Sequence, residues 1–180
     1  MRKGGGASKG SGFERHMARS LSSWWYGSPE YLWRRPGSGQ IRSLNPNRHT
    51  GDIIPTADKQ APYSFPFHIE CKFYKDLDLI KLITDPDKSF IKRTWDKATK
   101  EARHNLAIVL LVKQNRHKEL VFLKLDTYVA LGLDRQGSEI MFDDMDVGGS
   151  VLGFAWNELK EYKDCAQVYF DANRVEQKKS

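Results

Sequence analysis

Two carboxylates and a lysine in this sequence could share one small charged site that holds a cation: Asp52, Glu70 and Lys72. Along an extended strand successive side chains alternate faces. In Phe67-His68-Ile69-Glu70-Cys71-Lys72, Glu70 and Lys72 therefore share one face with His68, while Ile69 and Cys71 take the other. Ile53-Ile54 is a second short apolar run. The polar, proline-bearing connection from Pro55 to Pro66 can fold it back as a hairpin that carries Asp52 toward Glu70. Two carboxylates brought together repel unless a cation neutralises them, and hard oxygen donors suit Mg²⁺ or Mn²⁺ far better than Zn²⁺. The expected cation is Mg²⁺, with Mn²⁺ as its substitute.

Several elements must position these groups. Ser11 can cap a helix, with Glu14 three residues on as a capping-box partner and Phe13, Met17, Leu21 and Trp24 following at helical spacing. Ala107 to Val112 is a continuous apolar run of strand length, suited to a central strand covered on both faces. Glu119 to Leu125 reads as its neighbour, after a turn at Asn115-Arg116-His117-Lys118. Asp85-Pro86-Asp87 is a break, after which Ser89 caps a helix to about His104. Phe90 or Ile91, Trp95, Ala98 and Ala102 form its apolar face. Lys92, Arg93, Lys97, Lys100 and Arg103 lie elsewhere on it, where they suit a phosphate backbone or a solvated surface equally.

Residues 24–50 mix Trp24, Trp25, Tyr26, Tyr31 and Trp33 with Arg34, Arg35, Arg42 and Arg48. Aromatic rings can stack on bases and guanidinium groups can fork onto phosphates, which makes this the best nucleic-acid-contacting segment. Core packing is the competing role for the tryptophans. Pro36-Gly37-Ser38-Gly39 also reads as an ordinary turn. Asp143-Asp144-Met145-Asp146 lacks the glycine and distal glutamate of an EF-hand loop, and the five histidines show no zinc-like pairing.

Asp52, followed after a hairpin-length gap by Glu70-Cys71-Lys72, resembles the D...(D/E)xK signature of the restriction-endonuclease-like, or PD-(D/E)xK, nuclease superfamily. Two further blocks, Lys9-Gly10-Ser11-Gly12-Phe13-Glu14-Arg15 and Arg34-Arg35-Pro36-Gly37-Ser38-Gly39, stand upstream in the order that resembles archaeal-type Holliday junction resolvases and their phage relatives. The resemblance covers roughly the first two-thirds of the chain. It implies an α/β fold, a mixed β-sheet flanked by helices in a single domain with a C-terminal extension. It implies Asp52, Glu70 and the Cys71 backbone carbonyl as metal ligands, with Glu14 as a third acidic group beside them. Lys72 is then the residue that positions or deprotonates the attacking water. Ser38 falls near the scissile phosphate, and Lys97 falls roughly where related nucleases carry a glutamine. Arg15, Arg34, Arg35 and Arg42 complete the expected nucleic-acid contacts.

The expected activity is Mg²⁺-dependent hydrolysis of DNA at four-way junctions, in recombination and repair, by a homodimer whose two-fold axis matches that of the junction. Two other readings stay open: a nicking or trimming DNA nuclease of the same superfamily, and a non-catalytic DNA-binding subunit.

A chain of 180 residues fits one domain, and a composition 39% hydrophobic and 12% aromatic can bury a core. The expected divisions are a flexible basic arm over 1–10, a nuclease core over 11–125, an extension over 126–171 packed on that core, and a polar tail over 172–180. Net charge is +6, unevenly placed: residues 1–49 carry nine Lys or Arg against Glu14 and Glu30, whereas residues 126–165 carry nine acids against three cations. The molecule should have a basic side and an acidic side, the former suited to a polyanion. Cys71 and Cys165 make no disulfide framework, which points to a reducing, cytoplasmic setting. No secretory signal and no apolar stretch of membrane-spanning length is visible.

Overall fold

The apolar run that begins at Ala107 lies at the middle of the molecule. The computed structural model describes residues 5–35, 51–56, 59–102, 106–133, 140–143, 148–162, 165, 166, 168 and 169. In chain order the elements are helix α1 (Gly5–Tyr26), strands β1 (Leu32–Arg34), β2 (Ile53–Pro55) and β3 (Phe67–Tyr74), and helices α2 (Ile80–Thr84) and α3 (Phe90–Glu101). Strands β4 (Ala107–Gln114) and β5 (Glu119–Lys124), helix α4 (Leu125–Ala130), strands β6 (Ile140–Asp143) and β7 (Ser150–Ala155), and helix α5 (Trp156–Glu161) follow.

Five strands form one mixed sheet in the order β3-β4-β5-β7-β6, with β3 parallel to β4 and the other pairs antiparallel. A parallel pair needs a crossover, and α2 and α3 supply it. This is the α/β architecture expected of the sequence, a mixed sheet flanked by helices. The segment read as an extension contributes β6 and β7, two strands of this same sheet. Among the described residues no helix is long and apolar enough to cross a membrane.

Register explains how one strand feeds two cores. Glu70 pairs with Leu110 and Lys72 with Val112, so His68, Glu70 and Lys72 share a sheet face with Ile108, Leu110 and Val112. That face packs with Ile91, Trp95 and Ala98 of α3. On the opposite face Ile69, Cys71, Val109 and Leu111 join Phe13, Met17, Leu21 and Trp25 of α1. Burial on both sides is why β4 is apolar without alternation. The cap at Ser89 is as expected, its side chain accepting from the Ile91 N–H at 3.2 Å.

Two local expectations are corrected. Helix α1 starts at Gly5, so Ser11 and Glu14 lie inside it and do not form a capping box. Its stability comes from a buried stripe of Phe13, Met17, Ala18, Leu21 and Trp25, a tertiary gain that carries the glycine-rich first turns along. Residues 51–55 and β3 are not an antiparallel hairpin either. Gly51 bridges Ile69 in parallel, and β2 pairs instead with β1 as a separate antiparallel ribbon.

Candidate active site

Strand β3 is an edge strand, and its open edge is where the site forms. The Asp52 N–H donates to the Ile69 carbonyl at 2.7 Å, and the Cys71 N–H donates to Asp52 Oδ2 at 2.8 Å. Asp52 thus satisfies the edge with its main chain and its carboxylate at successive positions, which fixes it beside Glu70. Gly51 permits this approach. Its φ is +107°, and a Cβ there would lie 2.5 Å from the Ile69 carbonyl oxygen.

A polar cavity of about 330 Å³ opens over this edge, lined by Glu14, Arg35, Gly51, Asp52, Glu70, Cys71, Lys72, Lys97 and Glu101. The structure therefore brings together Asp52, Glu70, Lys72, Glu14, Cys71, Arg35 and Lys97. Arg34 is held by the Glu14 carboxylate, and the main-chain N–H of Arg35 donates to the Asp52 carbonyl at 2.8 Å. Arg15 is exposed on α1 and is not part of the cavity wall. Ser38 and Arg42 lie outside the described residues, as do Arg48 and His104.

Charge is concentrated here. Burial, and then the Glu70 charge, push the Asp52 pKa up to about 6, while the Cys71 N–H and Lys72 pull it back. Lys72 bonds Glu70 directly, lies 3.9 Å from Asp52 and reaches the Cys71 carbonyl at 3.3 Å. Burial pulls the Lys72 pKa down, but the charge and hydrogen bond of Glu70, together with Asp52, outweigh it and leave the ammonium more firmly protonated than usual. The Cys71 side chain points into the core, where burial, with Asp52, Glu14 and Glu70 adding to it, pushes its thiol well above the ordinary range. A neutral buried thiol is no metal ligand, so Cys71 meets the site through its main chain, the N–H toward Asp52 and the carbonyl toward Lys72. Burial also lowers the His68 pKa against Glu70 and Glu101, which keeps this 1%-exposed ring neutral.

A family model described as "Phage putative PDDEXK endonuclease" matches residues 6–177. The chain belongs to this family. No curated protein and no solved structure matches it. Membership in this endonuclease family places the chain among the PD-(D/E)xK nucleases, in agreement with the mixed sheet and with the resemblance of Asp52, Glu70 and Lys72 to the superfamily signature. Among the described residues of this nuclease no group of three or more His, Cys, Asp and Glu side chains is set to hold a metal ion. Among the oxygen groups at the cavity, the Asp52 and Glu70 carboxylates and the Cys71 main-chain carbonyl make a set that suits a hard divalent cation.

Sequence reasoning missed Glu101. It closes the cavity from the last turn of α3, 3.8 Å from Lys97. The i,i+4 spacing of Lys97 and Glu101 was a visible signal of their pairing, but not of their facing Glu70. Other expected nucleic-acid candidates are used in packing. Trp25 is 2% exposed and stacks edge-on against Phe67 at 4.9 Å, and Lys92 is buried against Asp96 at 2.7 Å.

Proposed function

We propose that this nuclease is a Mg²⁺-dependent DNA endonuclease that cuts four-way junctions, with Asp52, Glu70 and Lys72 as its catalytic residues. The observation that carries this reading is the placement of the Lys72 ammonium, a cation already standing among the Asp52, Glu70 and Cys71 oxygen donors. Those same three donors would hold Mg²⁺, or Mn²⁺ in its place. When bound, the ion supplies positive charge at the phosphate and a more acidic water.

In this reading Lys72 orients the attacking water and offsets phosphate charge, since its raised pKa suits an ammonium and not a general base. Arg35 and Lys97, on the cavity walls, meet substrate phosphate oxygens. Glu14 holds the Arg34 guanidinium at the rim, and Arg15, Ser38 and Arg42 extend the contact with DNA. Junction specificity is supported by Glu14, which reaches the cavity from the first helix as the resolvase resemblance implies. Paired cuts then call for a two-fold homodimer.

The test is cleavage of a labelled four-way junction, with duplex and single-stranded controls, by wild type and Glu70→Gln, in Mg²⁺ and in chelator. Symmetric Mg²⁺-dependent cuts are expected, reduced roughly 10²-fold or more in the variant. Equal cutting of all substrates would move the reading to a general nuclease, and tight binding without cutting would leave a DNA-binding subunit.

A further inference from the structure

We propose that the groove between α1 and α5 is a second phosphate-binding subsite, which seats the nucleic-acid backbone away from the cleaved bond. This inference rests on the chain acting on nucleic acid and is independent of which structure it cuts. The groove has a volume of about 450 Å³ and is lined by His16, Arg19, Ser20, Ser23, Trp24 and Lys160. Among the described residues no carboxylate lines it. Its hydrogen-bonding groups are set to donate. Ser20 Oγ accepts from the Trp156 indole N–H at 3.0 Å, which occupies a lone pair and leaves the hydroxyl proton available to a ligand. Trp24 Nε1 is buried and has no hydrogen-bond partner among the described residues, and a buried donor calls for an acceptor. The Trp24 ring packs against Trp25, Phe67 and Trp156, so it is not a stacking platform.

Positive charge and hydroxyl donors fit phosphate oxygens, which only accept. The lining from His16 to Ser23 covers two turns of helix, roughly 10 Å, more than a single free anion occupies. The neighbouring surface is mixed in sign: the acid of α1, Glu14, is held by Arg34 at the catalytic cavity, whereas Glu158 and Glu161 flank Lys160 in α5 and Glu119 interacts with the charge of His16. His16 lies two residues on from Glu14, roughly 200° around the helix, so the groove and the cavity are on opposite sides of α1, about 10–12 Å apart.

Fluorescence anisotropy of a labelled duplex with the full chain, in chelator and over a series of salt concentrations, tests this. Arg19→Gln and Lys160→Gln are each expected to weaken binding roughly three- to tenfold and to lower the slope of log affinity against log salt by about one, and the double variant by about two. Ser20→Ala, which removes a neutral donor, should weaken binding with the slope unchanged. Circular dichroism and melting temperature should match wild type in the charge variants, whereas Ser20→Ala, which also leaves the Trp156 indole N–H without its acceptor, should keep the wild-type spectrum with a lower melting temperature. Unchanged affinity and slope in the double variant overturns the proposal, as does failure of wild type to bind DNA at low salt. It is also overturned if the variants alter binding of inorganic phosphate but not of DNA. Glu70→Gln separates the two sites: if it still cuts, the catalytic reading fails, while the groove is judged by the salt slopes alone.

Discussion

Asp52 sets the electrostatics of the site. Its carboxyl is buried, 12% exposed, and has Glu70 for a neighbour, so its pKa stands near 6 in the fold against an ordinary 3.8. The folded state therefore holds this proton more tightly than the unfolded chain does. The stability that follows is complete below about pH 4 and is lost as pH rises through about 6, a change of about 3 kcal/mol. In chelator, Asp52→Asn should melt higher than wild type at pH 7.5, and the difference should vanish by pH 4. Added Mg²⁺ should raise the wild-type melting temperature more than the variant's. Differential scanning fluorimetry at the two pH values checks this, and a pH-independent difference would mean that burial and Glu70 do not raise the Asp52 pKa in the fold.

At the scale of elements, the site depends on how closely residues 51–52 approach the edge of β3. An alanine at Gly51 would drive its Cβ into the Ile69 carbonyl and would also have to adopt a φ of +107°. Gly51→Ala should cost roughly 1–3 kcal/mol and cut activity at least tenfold by displacing Asp52, although no proposed catalytic group is altered. Gly148→Ala is the control. Gly148 also has a positive φ, +74°, but nothing lies within 4 Å of its would-be Cβ. It should lose some stability and keep full specific activity. Equal loss of specific activity in both variants would show that the close approach at Gly51 is not what positions Asp52.

Over the whole molecule, charge is divided between the ends of the chain, +7 over residues 1–49 and −6 over residues 126–165. The cationic part includes α1, which contributes Glu14 to the cavity and His16, Arg19, Ser20, Ser23 and Trp24 to the α1–α5 groove. DNA should therefore meet the N-terminal side. The proposed two-fold assembly makes a separate prediction: sedimentation on a four-way junction should find two copies of the chain per junction, each with its own cavity. One copy per junction, with nicks in place of paired cuts, would favour the nicking nuclease.

The strand pairing of β4 and β5, the alternation of β3, the Ser89 cap and the shared face of Glu70 and Lys72 were legible in the sequence because each is written in neighbouring residues. A continuous apolar run needs cover on both faces, and alternation within one strand decides which side chains share a face. What depended on distant partners was decided only by the tertiary structure. Whether residues 51–55 meet β3 in parallel or as a hairpin turns on where the ribbon of β1 and β2 docks, which no local pattern encodes. The start of α1 at Gly5 depends on a buried stripe further along the helix, and the presence of Glu101 at the cavity depends on the angle at which α3 crosses the sheet. Burial of Trp25 and the pairing of Lys92 with Asp96 were likewise settled by packing, because the same residue types serve a core or a polyanion equally well until their neighbours in space are known.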